Sequence, residues 1–416
     1  MEYGLIGKKL GHSFSPMIHE ELGGYDYTLT ELREEEVGPF LRGGTFRGLN
    51  VTIPYKRTVM PYLDRISDRA RRIGSVNTIV RETDGSLSGY NTDYAGFQAL
   101  LRKGNLHPEG AKCLVLGSGG AGRTAVSVLE DMGAREVRII SRGGEDHYGN
   151  LEKHADAGIL INATPVGMYP GNGESPVDPG RLPALEGIAD LIYNPARTAL
   201  LLAGEKRGIP GINGLYMLVA QARMAAELFL RRPVPEETCE KIWRRLKAQT
   251  ENWVLIGMAG SGKSTVGRLL AERTGRELLD TDEMAEQACG MSCGEYIRRQ
   301  GEDAFRILET DRIREAGKRT GVIIATGGGA VTRPENRDLL RQNGTLFHLD
   351  REAEALAVSE SRPLSDTREK ALRLARERAP LYAAWRDARI AESTPEKAAE
   401  RILALAEQWK QEETDA

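Results

Sequence analysis

The sequence predicts an α/β protein built on parallel sheets. Three observations carry that expectation. Short apolar runs of strand length alternate with helical patterns along the chain, glycine is abundant at 47 of 416 residues, and two glycine-rich turns have phosphate-loop spacing. The first turn is GSGGAG at Gly117 to Gly122, and the second is GMAGSGKS at Gly257 to Ser264. The GxGxxG spacing suits a strand-turn-helix that approaches a dinucleotide, whereas GxxxxGKS suits a loop wrapped around a nucleoside triphosphate. One polypeptide is therefore expected to bind two nucleotides.

The apolar runs are CLVLG ahead of Gly119, REVRII ahead of Ser141, AGILIN ahead of Ala163, WVLIG ahead of Met258, GVIIAT ahead of Gly327 and GTLFHLD ending at Asp350. Continuous apolar runs mark strands buried on both faces, as helices on either side of a parallel sheet require. The length suits two or three domains, divided here as 1–103, completed by helices in 214–248, then 104–213 and 249–416. The boundary between the halves is expected as a short linker in KAQTEN, Lys247 to Asn252, between the amphipathic EETCEKIWRRLKAQ and a strand entering the second loop. No internal repeat or low-complexity tract is visible.

Composition excludes several classes. A formal net charge of −3 supplies no basic field for nucleic acid. Eighteen consecutive apolar residues occur nowhere, which argues against a membrane span. Cys113, Cys239, Cys289 and Cys293 have neither CxxC spacing nor a His-rich partner segment, so they read as reduced thiols. The opening MEYGLIGKKLGHS lacks an apolar signal core. A cytoplasmic protein acting on small molecules is expected, and a homo-oligomer is left open.

In the first half, Gly117, Gly119, Gly120, Ala121 and Gly122 would let backbone approach a pyrophosphate, with a helix beginning near Gly122 and facing it with its N-terminus. The second strand of that unit ends at Ser141 and Arg142, where an acid for a ribose 2′-hydroxyl is replaced by arginine. A charge-assisted bond to a 2′-phosphate is worth ~1.5–3 kcal/mol, so NADP(H) is favoured over NAD. Gly143, Gly144, Glu145 and Asp146 follow, and the two acids would repel that phosphate. The span from Gly143 to Gly158 is close to the ~10–12 residue minimum of one crossover, which predicts a reduced nucleotide lobe.

Short polar residues follow apolar segments elsewhere in this half: Ser13 and Ser15 in GHSFSP, Asn50, Thr52 and Lys56 in NVTIPYK, Asn77 in SVNT and Asp93 in NTD. Each alone is ordinary turn chemistry or a solvated charge. Taken with NATPVGM at Asn162 to Met168, YNP at Tyr193 to Pro195 and Gly214 through Gln221, they closely resemble shikimate dehydrogenase, from GKKLGHSFSP to GLYMLVAQA. The resemblance implies a two-lobed enzyme with a Rossmann nucleotide lobe, reducing 3-dehydroshikimate to shikimate with NADPH. It implies Lys56 and Asp93 as the catalytic pair, and Ser13, Ser15, Asn50, Thr52, Asn77, Tyr193 and Gln221 around the substrate. Around the cofactor it implies the glycine loop with Ser141, Arg142, Asn162, Ala163, Thr164 and Gly214. The family commonly has Asn where Ser141 stands.

In the second half, Lys263 would reach the β- and γ-phosphates of ATP, Ser264 would bind Mg²⁺, and backbone N–H groups of Gly260, Ser261, Gly262 and Lys263, at the head of the helix that continues through Thr265, would cradle the triphosphate. The segments LLDTDEMAEQ, GEDAFRILE, ATGGGAV, SRPLS and ERAPLY resemble shikimate kinase from Asn252 to about Gln408, a P-loop NTPase-type parallel-sheet domain. That resemblance implies Asp282 as base or orienter at the acceptor hydroxyls and Asp280 holding Mg²⁺ through water. Arg306 and Arg378 would clasp the carboxylate, Gly327, Gly328 and Gly329 would line the acceptor site, and Arg362 would reach the phosphates from a lid. Read from the residues alone, Arg306 and Glu309 are a helical i, i+3 pair, Arg378 is a solvated helix charge and Asp280 is a helix N-cap. The segment Asp350 to Thr367 is shorter than usual, with Ser365 where the family tends to have Leu, and slower lid closure is expected. The two halves together imply a bifunctional enzyme acting in sequence on one carbon. The alternatives are quinate or another small polyol as substrate, or a kinase half serving as a non-catalytic sensor.

Overall fold

The computed structural model of the chain describes residues 2–11, 13–351, 364 and 367–415. Arg362 and Ser365, expected in the lid, lie outside the described residues. The chain divides into two compact units. One comprises 1–168, 174–193 and 200–245, and the other 169–173, 194–199 and 246–416.

The first unit contains two sheets. One holds β1 (Tyr3–Gly7), β2 (Tyr27–Glu31), β3 (Gly48–Val51), β4 (Arg65–Ile66), β5 (Thr78–Arg81) and β6 (Leu87–Tyr90), in the order β2-β1-β3-β5-β6-β4. It departs from an all-parallel sheet, because β5 runs antiparallel to both β3 and β6. A tight turn joins β5 to β6, with Glu82 N–H bonded to Ser86 O and Gly85 N–H to Glu82 O, and only antiparallel strands can be joined so briefly. Helices α1 (Ser15–Gly23), α2 (Glu34–Gly43) and α3 (Asp68–Ile73) lie between these strands, and α4 (Asp93–Lys103) leads out of β6. Val37 and Leu41 of α2 cover one sheet face with Ile6, Leu49, Val51 and Ile79.

The second sheet holds β7 (Lys112–Leu116), β8 (Glu136–Ile140), β9 (Ile159–Asn162), β10 (Gly187–Asp190) and β11 (Gly211–Asn213), in the order β11-β10-β9-β7-β8. All of its pairings are parallel. It carries α5 (Gly120–Asp131) and α6 (Ala199–Glu205). Helix α5 begins at Gly120, two residues earlier than expected. Between β8 and β9 stands only a 3-10 segment, Tyr148–His154, so this lobe is reduced as its sequence spacing predicts.

Helix α7 (Leu215–Leu230) returns to the first sheet, where Ala225 and Phe229 pack with Tyr3 and Val80. It runs so close to α4 that a β-carbon on Gly96 would lie 2.9 Å from Met217 O and 2.9 Å from Gln221 Cβ. Helix α8 (Glu236–Thr250) then overruns the segment expected as a linker, leaving Glu251 between it and the next strand. KAQTEN contains no glycine or proline to stop the helix, and the polar composition that suggested a linker belongs instead to a helical surface.

The second unit has one parallel sheet of β12 (Asn252–Ile256), β13 (Leu278–Asp280), β14 (Ile323–Ala325), β15 (Gly344–Leu349) and β16 (Ala388–Ile390), in the order β13-β14-β12-β15-β16. Its helices are α9 (Lys263–Thr274), α10 (Thr281–Cys289), α11 (Cys293–Gln300), α12 (Glu302–Lys318), α13 (Pro334–Arg341), α14 (Arg368–Trp385) and α15 (Pro395–Asp415). Val254 and Ile256 point into one core with Ile313, Leu340 and Tyr382. Trp253 and Leu255 point into the other with Val266, Leu270 and Ile402, and burial on both faces is why WVLIG reads as an unbroken apolar run. All four cysteines are free. Among the described residues no helix is long and apolar enough to cross a membrane.

The α4/α7 contact makes a stability prediction. Gly96→Ala overpacks two backbones rather than a flexible side chain, so it should cost about 1–3 kcal/mol in urea unfolding of the first unit. An unchanged unfolding midpoint would contradict this packing.

Candidate active sites

In the first sheet every strand that runs parallel to β1 ends at one edge, and the expected polar residues collect there. Ser13 and Ser15 follow β1, Thr52 and Lys56 follow β3, and Asp93 follows β6 as the first residue of α4. Asn77 instead precedes β5, since that strand runs the other way and brings its amino end to the same edge.

These residues line a cavity of about 410 Å³, joined by Asn50, Tyr193, Gly214 and Gln221 and, from the nucleotide lobe, Ala121. Lys56 Nζ donates to Asp93 Oδ2 at 2.6 Å, with both side chains partly open to the cavity. Asn77 is held through Thr92: its Oδ1 accepts from Thr92 N–H at 2.7 Å and its Nδ2 donates to Thr92 Oγ1 at 3.0 Å. Gln221 is braced by its own helix, with Nε2 donating to Leu218 O at 2.9 Å. Burial raises the Tyr193 phenol above its ordinary range.

Asn50 reaches the cavity wall but is committed elsewhere. Its Oδ1 accepts from Tyr27 O–H at 2.7 Å, and its Nδ2 donates to Thr78 Oγ1 at 3.0 Å and Asn77 O at 3.3 Å. The apolar part of the wall includes Ile53, Met217 and Leu218, which motif reading missed; Met217, Leu218 and Gln221 share one face of α7, as helical spacing would have shown.

At the nucleotide edge, Gly117 adopts φ 101°, and a β-carbon there would meet Thr164 Cγ2 at 3.0 Å and Ala163 O at 3.2 Å. A β-carbon on Gly122 would overlap Gly117 O, so the turn tolerates no side chain at that position. Gly119 precedes α5 and has open space around it, while Gly120 begins the helix. Gly214 sits against the Leu191 backbone as the N-cap of α7. Asn162 is fully buried. It donates to Asp190 Oδ1 at 3.0 Å and accepts from Thr164 N–H at 3.0 Å, so its side chain shapes the turn.

Arg142 is exposed beside Ser141. The Asp146 carboxylate lies 3.0 Å from His154 Nε2 and 4.0 Å from Arg138 Nη1.

In the second unit, β12 leads into the triphosphate-type loop, where Gly257, Gly260 and Gly262 adopt φ of 150°, 83° and 92°. Ser261 is buried in it and Thr265 is exposed on the first turn of α9. Lys263 Nζ donates to Gly257 O at 2.9 Å and Met258 O at 2.8 Å. Ser264 Oγ donates to Asp280 Oδ2 at 2.6 Å. The other oxygen of Asp280 accepts from Asp282 N–H at 3.0 Å and Glu283 N–H at 3.4 Å, so this residue caps α10 and faces the loop hydroxyl at once.

A smaller cavity, about 100 Å³, is lined by Asp282, Arg306, Gly327, Gly328, Gly329 and Arg378. The glycines matter because each touches a different charged group or backbone. A β-carbon on Gly327 would meet Asp282 Oδ1 at 2.6 Å and overlap the Glu309 carboxylate, one on Gly328 would press on Ala259 N at 2.6 Å, and one on Gly329 would overlap the Arg306 guanidinium. Arg306 is bound to Glu309 Oε2 and Glu302 Oε1, both at 2.8 Å, and Arg378 Nη1 donates to Gly328 O at 2.9 Å. The i, i+3 pair read from sequence is therefore real, and it also fixes a guanidinium on the cavity wall. Burial pushes the Asp282 carboxyl up to about 7, reinforced by Glu309 and Asp280 and opposed by Lys263 and Arg306. Cys293, Ile297 and Phe305 supply an apolar wall that motif reading missed, although Cys293 and Ile297 stand at helical i, i+4 spacing.

Comparison with known proteins finds relatives for both parts of the chain. A family model described as shikimate kinase matches residues 259–407, and one described as the shikimate dehydrogenase substrate binding domain matches residues 5–79. A shikimate dehydrogenase (NADP(+)) of Clostridium perfringens (strain SM101 / Type A) is 38% identical over 268 residues, spanning 59% of this chain and 98% of that protein. A chorismate mutase/shikimate 5-dehydrogenase fusion protein from Clostridium acetobutylicum aligns with a TM-score of 0.56 at 39% identity, covering 59% of this chain and 96% of that one. Shikimate 5-dehydrogenase from Thermus thermophilus, solved with NADP(H) and shikimate, aligns with a TM-score of 0.53 at 31% identity, covering 59% of this chain and 99% of that one. The chain thus belongs to the shikimate dehydrogenase family and carries a shikimate kinase domain in the same polypeptide.

Proposed function

We propose that the chain reduces 3-dehydroshikimate to shikimate with NADPH and then phosphorylates shikimate with ATP at the 3-hydroxyl that the reduction creates. The observation that carries this reading is the Lys56–Asp93 pair, at 2.6 Å, in one cavity with the whole expected set of substrate residues. When bound, a nicotinamide cofactor would supply a hydride to the ketone carbon. As negative charge develops on the carbonyl oxygen, the Lys56 ammonium stabilises it and delivers a proton, while Asp93 holds the amine in place. Ser13, Ser15, Thr52, Asn77, Tyr193 and Gln221 present hydroxyl and amide groups to the substrate's own hydroxyls and carboxylate. Preference for NADPH rests on the exposed Arg142.

In the kinase domain, Arg306 and Arg378 hold the carboxylate of shikimate, each charge-assisted bond being worth about 1.5–3 kcal/mol. Asp282 accepts the proton of the acceptor hydroxyl. Lys263 and the loop N–H groups neutralise phosphate charge. Ser264 and Asp280 present a hydroxyl and a carboxylate side by side at the loop, a hard oxygen pair suited to Mg²⁺, which takes few protein ligands and fills the rest with phosphate and water. The partners are small molecules rather than nucleic acid or membrane, and the four free thiols fit a reducing cytoplasm.

Separate sites predict separable losses. Lys56→Met should lower the reduction rate by about 10²–10⁴-fold and leave phosphorylation intact. Lys263→Met should do the reverse. Loss of both activities from either substitution in a folded chain would overturn the assignment, and a higher kcat/KM with quinate than with shikimate would change the substrate.

The raised Asp282 carboxyl predicts a pH profile. A base must be ionised, so phosphorylation kcat/KM for shikimate should rise with pH and level off above about 7. Asp282→Asn should be nearly inactive across the range. A wild-type profile that stays level down to about pH 5 would contradict the assigned base, because an ordinary carboxylate titrates below that range.

A further inference from the structure

One turn of α14 places two donors on a single carbonyl of the acceptor cavity. Arg378 Nη1 donates to Gly328 O at 2.9 Å, and Tyr382 Oη donates to the same oxygen at 2.6 Å. The two residues stand at i, i+4, so their side chains leave the helix on one face, and a carbonyl has a lone pair for each. Arg378 also serves the substrate carboxylate. Tyr382, 2% exposed and outside the cavity wall, touches no substrate.

Gly328 is where the acceptor cavity meets the triphosphate loop. A β-carbon there would stand 2.6 Å from Ala259 N and 3.2 Å from Met258 C, so the two backbones touch with no side chain between them. Met258 O accepts from Lys263 Nζ at 2.8 Å, and Met258 Sδ lies 3.8 Å from Tyr382 Oη. The hydroxyl therefore sits at the seam of both loops. It has one proton, and the shorter contact with the Gly328 carbonyl takes it. Burial raises the phenol above its ordinary range, which keeps that proton in place. Behind the ring, His348 of β15 stacks on it with centroids 4.7 Å apart and planes 12° apart, which fixes the direction in which the hydroxyl points.

We propose that Tyr382 is a positioning residue for phosphoryl transfer: its hydroxyl pins the Gly328 carbonyl and so holds the acceptor glycines in register with the triphosphate loop. The role rests on the kinase reading above. Positioning is most of what phosphoryl transfer needs from a protein, because the attacking oxygen must lie in line with the leaving group. Arg378 divides its donors between that carbonyl and the substrate carboxylate, whereas the tyrosine has a single bond to make. A tyrosine that only filled the core would need its ring and not its oxygen. Tyr382→Phe separates the two, keeping the stack on His348 and removing the hydroxyl.

The test is steady-state phosphorylation of shikimate by the full chain with Mg-ATP, alongside thermal melting and oxidation of shikimate with NADP⁺, which reports the other site of the same molecule. Tyr382→Phe should lower kcat/KM for shikimate about 10- to 100-fold, the cost of a small misplacement at the reacting groups. Most of that loss should appear in kcat, since alignment rather than affinity is what the hydroxyl secures, while KM for Mg-ATP and the rate of shikimate oxidation stay at wild-type values. His348→Leu, which leaves the hydroxyl and removes the flat ring behind it, should give a smaller loss with the same split and serves if Tyr382→Phe does not fold. Wild-type phosphorylation kcat/KM in Tyr382→Phe or in His348→Leu, or a loss carried by KM for Mg-ATP, overturns the positioning role alone. A wild-type chain that oxidises shikimate yet forms no shikimate 3-phosphate overturns the kinase reading and this role with it.

Discussion

In a parallel sheet all strands end at one edge, and both sites are built on that constraint. There the chain turns from strand to helix, leaving unpaired N–H groups at helix starts and short loops free to carry chemistry. The first cavity takes residues that follow β1, β3 and β6. The triphosphate loop follows β12, Asp280 and Asp282 stand at the end of β13, and Gly327 to Gly329 follow β14. The one strand that runs against the rest, β5, contributes Asn77 from the residue before it, so the rule holds in reverse where the direction reverses.

Close backbone approach is the second requirement, and glycine meets it where charge must come near. Gly122 leaves room for the Gly117 carbonyl at the dinucleotide turn, and Gly329 leaves room for the Arg306 guanidinium at the acceptor cavity. Arg306 is buried only because Glu309 and Glu302 bind it. An unpaired guanidinium at that depth would be costly. Burial, reinforced by Glu309 and Asp280, raises Asp282, so Glu309 both holds the cation on the cavity wall and helps tune the base.

Much of this was legible in the chain. The six apolar runs became β7, β8, β9, β12, β14 and β15; five of them are buried along their whole length, which leaves no polar positions to blur the pattern, while β8 lies at the sheet edge with Arg138 exposed. The short span after Ser141 foretold a reduced nucleotide lobe, in which only a 3-10 segment separates β8 from β9. What could not be read was how a polar residue spends its hydrogen bonds. Asn50 and Asn162 carry motif positions, yet their amides are consumed inside the protein. Asp146, close in sequence to Arg142, lies beside His154. The supposed linker at Lys247 failed for a different reason: polar composition describes a solvated helix surface as well as it describes a loop.

The central claim is that one chain holds two consecutive reactions, the product of the first being the substrate of the second. It is tested most directly by giving the purified chain 3-dehydroshikimate and Mg-ATP and following ADP and shikimate 3-phosphate before and after NADPH is added. The account predicts no ADP before the addition, and afterwards ADP and shikimate 3-phosphate accumulating together behind the oxidation of NADPH, after a lag while shikimate builds. ADP formation without NADPH, or full oxidation of NADPH with no phosphorylated product, would contradict it.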